Sequence, residues 1–162
     1  MKKLTCLFIL AALIMAAGCG GEKKTKLSVP YETYKLDNGL TVILNEDKSD
    51  PITSLVILYH VGSSREVPGK TGFAHLFEHM MFQRSENVGE DQFFKYIKGA
   101  GGTLNGGTSF DQTIYFEVVP KNSLELAMWL ESDRMGFLRN TVTPQSFALQ
   151  QNVVQNEKRQ GV

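Results

Sequence analysis

An α+β fold, a mainly antiparallel sheet with helices packed on one face, is predicted by three observations. Short β-branched runs separated by turn residues come first, helical apolar spacing dominates later, and an Asp-Asn-Gly turn opens the series. Tyr31 to Leu36 and Leu40 to Leu44 flank Asp37-Asn38-Gly39 as two arms of a hairpin. Ile52 to Val61 reads as a central strand, and Pro68 to Gly72 breaks the chain before a helix from about Phe73 to Phe82. Asp91 to Lys98 predicts a short helix capped by Gly99, and Thr103 to Ser109 and Thr113 to Val119 predict two more strands. Asn122 to Leu138 carries Leu124, Ala127, Met128, Leu130, Met135 and Leu138 near one side, an amphipathic helix. Thr143-Pro144 gives a cap followed by proline for a last helix from about Gln145 to the end, where no cap is evident. The lone Trp129 is expected in the core or in helix packing.

Composition narrows the function without naming it. In 162 residues, 17 Lys+Arg balance 17 Asp+Glu, and no basic block exists to neutralise a row of phosphates, so no nucleic-acid partner is expected. A 21% charged fraction with ten Phe excludes a disordered chain, and two cysteines exclude a disulfide scaffold. Gly69-Lys70-Thr71 has the end of a phosphate-binding loop, but Ser64 stands where its first glycine is required.

The first residues have a different character. Lys2 and Lys3 precede an apolar run, Leu4 to Ala17, too short to span a bilayer as a helix. This pattern reads as an export signal over residues 1–18. Ala16-Ala17-Gly18-Cys19 resembles the bacterial lipobox, with Ala16 where that pattern prefers Leu. The resemblance implies cleavage before Cys19, lipidation of Cys19 and a tether over 19–30, which leaves 31–162 as the domain portion. The location implied is the cell envelope, with the membrane touched only through the lipid anchor.

The chemistry concentrates in His75-Leu76-Phe77-Glu78-His79. Residues i and i+4 share a helix face, so both imidazoles can reach one metal ion. Glu78 lies about 100° round the helix from His79, beside such an ion, where a general base belongs. Two surface histidines beside a paired glutamate is the competing reading. A catalytic zinc needs a third protein ligand. His60, in the predicted strand core, and Glu157, beside the apolar stripe of the last helix, are the candidates. A core histidine and a Lys- or Arg-paired carboxylate are their respective alternatives.

These residues form the inverted H-x-x-E-H signature, and the chain resembles the insulinase/pitrilysin family of zinc metallopeptidases. The likeness extends from Gly62-Ser63 with Glu66, through Gly72 to Phe82, to Gly101-Gly102-Thr103-Leu104-Asn105. It continues at Asp111, Thr113, Tyr115, Val119-Pro120, Leu130 to Met135 and Val153 to Arg159. It implies one Zn2+ held by His75, His79 and Glu157, and Glu78 as general base in hydrolysis of peptide bonds in peptides or unfolded segments. It also implies an edge strand near Leu104 to Thr108 that receives extended substrate, with Asn105 as a substrate contact or, equally, a turn residue. Gln150 stands where many members carry a second supporting glutamate. The resemblance further implies that this chain is the N-terminal part of a longer domain, completed by further homologous domains or a partner subunit. A non-catalytic partner subunit is the alternative.

Overall fold

The computed structural model describes residues 28–161, and the predicted export signal, Cys19 and most of the tether lie outside them. The described chain falls into two units, divided at Asp47 and Lys48. In the first, β1 (Glu32–Lys35) and β2 (Thr41–Leu44) form an antiparallel hairpin, with Glu32 opposite Leu44. Asn38 accepts the Leu40 amide at 3.0 Å and Gly39 takes a φ of 91°, as the Asp-Asn-Gly turn requires.

In the second unit, β3 (Ile52–Tyr59), β4 (Thr103–Thr108) and β5 (Thr113–Pro120) form an antiparallel sheet in the order β3-β5-β4. The helices are α1 (Phe73–Gln83), α2 (Gln92–Gly99), α3 (Leu124–Phe137) and α4 (Pro144–Gln160). Alternation along the central strand decides which face they cover. Thr113, Tyr115, Glu117 and Val119 of β5 are buried on one side, aligned with Ile57 and Leu55 of β3 and Leu104 and Gly106 of β4. On the other side Ile52, Val56 and Leu58 remain exposed. One face is therefore covered, as the sequence predicts.

The core comprises Val88, Phe93, Ile97, Val119, Ala127 and Leu130, with Leu55, Leu104 and Leu126 packed against it. Each fully buried Val, Leu, Ile or Phe side chain among them contributes about 1.5–3 kcal/mol relative to exposure. The face that α3 buries differs from the predicted apolar stripe. Met128 and Met135 are exposed, whereas Glu131, Asp133 and Arg134 are buried beside Ala127 and Leu130. The reason is compensation of charge. Arg134 Nε donates to Glu131 Oε2 at 2.8 Å, and its Nη2 bonds Glu131 Oε1 and lies 3.5 Å from Glu117 Oε1. The guanidinium also lies over the Tyr115 ring, 4.0 Å from its centroid, and near Phe93 and Phe82.

Other differences are local. Of the two readings for Trp129, helix packing holds: it is exposed outside the core and meets Tyr96 of α2 edge-on. Gly99 is the last residue of α2, and the left-handed glycine beyond it is Gly101, at φ 79°. Helix α4 begins with a reciprocal cap between Thr143 and Ser146 and closes on Gly161, left-handed at φ 76°, where no cap was predicted. Strand β3 stops at Tyr59, so His60 is exposed beyond it rather than part of a strand core.

Candidate metal centre

Helix α1 packs against both β4 and α4, which brings its histidines to a residue 78 positions after His79. His75 and His79 lie one turn apart, and their Nε2 atoms are 3.2 Å from each other. Glu157 Oε2 of α4 is 3.4 Å from His75 Nε2 and 3.3 Å from His79 Nε2. Tetrahedral zinc with ligands at 2.0–2.1 Å sets its donors roughly 3.3–3.4 Å apart. The triangle therefore has the size that a zinc ion requires. Its composition, two imidazoles and one carboxylate with a fourth position left over, is that of a catalytic rather than a closed structural site. Among the described residues this is the only cluster of three such groups.

Glu78 is buried beside this triangle on α1. Its Oε2 accepts the Thr108 hydroxyl at 2.6 Å, Thr108 Oγ1 lies 3.2 Å from Thr113 Oγ1, and Thr113 donates to the Val61 carbonyl at 3.1 Å. The carboxylate is thus tied to the end of β4. A cavity of about 450 Å³ opens here, bounded by His75, Glu78, Thr108, Glu66 and Phe110. A second, more apolar cavity of about 310 Å³ is bounded by Phe73, Phe77, Met81, Tyr59 and Tyr115 and shares Glu66, Ala74 and Glu78 with the first.

The other predicted positions are distributed around this centre. Asn105 is exposed within β4, not in a turn, and its Oδ1 accepts the Gly106 amide at 2.9 Å. Gln150 is buried on α4, two turns before Glu157. His60 stays outside the centre, bonding Arg65 and lying 3.9 Å from Asp111.

Two contributors carry no role in the sequence reading. Thr108 is visible there only as a strand residue, because its bond to Glu78 joins positions 30 apart. Glu66 accepts the amides of Gly72 and Ala74, both at 2.7 Å. The Ala74 bond foremost, with that of Gly72, holds its carboxyl below the usual range. The detectable signal was a helix start lacking its own Ser, Thr, Asp or Asn cap.

The family model for insulinase (peptidase family M16) matches residues 41–160. The chain belongs to that metallopeptidase family. It is 34% identical over 130 residues to the zinc protease PqqE of Helicobacter pylori, covering 80% of this chain and 29% of that protein. It is 35% identical over 99 residues to an insulin-degrading enzyme homolog of Dictyostelium discoideum, covering 60% of this chain and 10% of that one. Among solved structures, a protease from Helicobacter pylori superimposes with a TM-score of 0.78 at 34% identity, covering 82% of this chain and 32% of that chain. Pitrilysin superimposes with a TM-score of 0.63 at 27% identity, covering 70% and 12% respectively. The chain thus spans about a third or less of the length of these relatives.

Proposed function

We propose that this chain supplies the catalytic zinc centre of a metalloendopeptidase acting on peptides or unfolded protein segments. The observation that carries the reading is the triangle of His75, His79 and Glu157 with Glu78 beside it. These three residues would hold the ion. The chemistry zinc supplies in such a donor set is Lewis acidity, toward water and toward a carbonyl oxygen.

The remaining work falls to the chain's own groups. Glu78 takes the proton of the attacking water and delivers it to the leaving amine. Thr108 keeps the Glu78 carboxylate aimed, since its 2.6 Å bond occupies one oxygen and leaves the other free to accept. Strand β4 has β5 on one side and no strand partner on the other among the described residues. An extended peptide laid along that edge gains backbone hydrogen bonds and runs toward Thr108 and Glu78, with Asn105 exposed in its path. Gln150, buried on the same helix seven positions before Glu157, offers an amide rather than a second charge there.

A non-catalytic subunit would be expected to have lost part of this set, and all four residues are present. The reading includes envelope location through a lipid on Cys19 and completion of the substrate chamber by further homologous domains or a partner subunit.

The test is Glu78→Gln in the purified protein, assayed on a quenched fluorescent peptide alongside elemental analysis. Zinc at parental stoichiometry with cleavage abolished is expected. Cleavage at the parental rate would remove Glu78 from the reaction, and a parent that binds no zinc and ignores chelators would overturn the metallopeptidase reading.

A further inference from the structure

Helix α1 carries two metal donors and the base, yet it begins without a cap of its own. Gly72 sits at the N-cap position with φ 96°, and no side chain of that residue can accept the free amides of the first turn. Glu66 fills this gap from six positions upstream, with Oε2 on the Gly72 amide and Oε1 on the Ala74 amide. Ala74 immediately precedes His75, so the bond acts on the backbone of a metal donor's own turn.

Glu66 is itself held from the sheet side. The Ser63 amide bonds the Ser109 carbonyl at 3.2 Å, and the Ser64 amide bonds the Phe110 carbonyl at 2.8 Å. The Ser64 hydroxyl adds a bond to the same carbonyl. At Gly62 the two segments come so near that a Cβ would lie 2.5 Å from backbone atoms of Ser109 and Phe110. Thr108, next to Ser109, bonds Glu78. The contacts close a ring: Glu66 to the start of α1, α1 to Glu78, Glu78 to Thr108, and the turn after Thr108 back to the segment bearing Glu66.

We propose that Glu66 is a positioning residue, fixing the first turn of α1 against β4 so that His75 and His79 meet Glu157 in metal-binding register and Glu78 meets Thr108. The proposal rests on the zinc reading above. A carboxylate suits the task because both oxygens accept, and its charge opposes the positive end of the helix dipole. Glu66→Ala removes both bonds. Glu66→Gln keeps the shape but replaces one acceptor with a donor facing an amide.

The experiment measures zinc dissociation constants by competition with a chromophoric chelator, together with kcat and KM on a quenched peptide. Circular dichroism first establishes a temperature at which each variant is folded. Glu66→Ala is expected to weaken zinc binding on the order of 10- to 100-fold, as loss of a residue supporting a metal ligand does. Its kcat should fall more than its KM rises. Glu66→Gln is expected to lie between Ala and the parent. Val119→Ala, a cavity in the core away from the centre, controls for destabilisation and should leave zinc affinity at the parental value. Parental zinc affinity in folded Glu66→Ala, or a loss no larger than in Val119→Ala, would overturn the proposal. If Glu66→Ala does not fold, parental zinc affinity and kcat in Glu66→Gln would overturn it instead. A parent that binds no zinc overturns the metallopeptidase reading and this one together, whereas zinc binding that is indifferent to Glu66 overturns this one alone.

Discussion

The Thr108 hydroxyl donates to the Glu78 carboxylate across 2.6 Å, joining the last residue of an edge strand to the acid of the H-x-x-E-H helix. One contact thereby couples the surface on which an extended peptide can lie to the group assigned to move its proton.

Thr108→Val preserves the β-branched shape and deletes that donor. A hydrogen bond to a charged group is worth about 1.5–3 kcal/mol, so kcat should fall roughly 10- to 100-fold while zinc content stays parental. Steady-state kinetics with elemental analysis checks this, and an unchanged kcat would show that Glu78 needs no aim from β4.

Glu157→Ala takes away one of the three proposed donors. Zinc affinity should drop by orders of magnitude, and the thermal shift on adding zinc should shrink accordingly. In the parent, zinc at a hundredfold excess over its Kd stabilises by about 2.7 kcal/mol. Differential scanning calorimetry with and without zinc measures both, and an undiminished shift in the variant would exclude Glu157 as a ligand.

The histidine pair was legible because its evidence is local: i and i+4 on a helix suffice to point two imidazoles one way. Glu157 needed the family resemblance, since a carboxylate on an amphipathic helix has no local mark of the histidines it faces across α1 and α4. The strands and helices followed their periodicity for the same local reason. Helix α3 did not. Its buried side includes Glu131 and Arg134, residues that pattern reading assigns to water, because Arg134 finds its countercharge on Glu131 and further contacts, from another element, on Glu117 and Tyr115. His60 misled in the opposite sense, since an apolar run gave no sign of the strand's end at Tyr59.

Arg134→Leu tests that cluster. It leaves Glu131 buried without its cation, a change that costs about 3–5 kcal/mol. The melting temperature should fall by roughly 10 °C or more. A fall of a degree or two, seen by calorimetry, would show that the guanidinium contributes only its bulk.

Glu117 predicts a pH dependence. Burial foremost, then the neighbouring Glu131 carboxylate, push its carboxyl up to about 9 against the opposing pull of Arg134. The folded state thus holds this proton more tightly than the unfolded chain, whose ordinary value is 4.5. The stabilisation is complete below about 4.5 and is lost as pH rises toward about 9. Glu117→Gln should flatten that slope when melting temperature is followed from pH 5 to 9. A slope equal to the parent's would assign the titration elsewhere.

Cys19→Ser addresses the proposed anchor. The parent should incorporate radiolabelled fatty acid and sediment with membranes, and the variant should do neither. Equal labelling of the two would place any lipid on another residue.

The two donor helices also bear on how the fold holds together. Glu157 follows His79 by 78 positions, so an ion shared between them would act as a removable crosslink closing a long loop. By the chain-entropy relation for covalent crosslinks, closing a loop of that length is worth on the order of 4–5 kcal/mol. Removing the metal would then free α4 from α1 as reduction frees a disulfide, with Cys19 and Cys6 as the sole cysteines and both within the first nineteen residues. The element that performs the chemistry would also be the clasp of the domain.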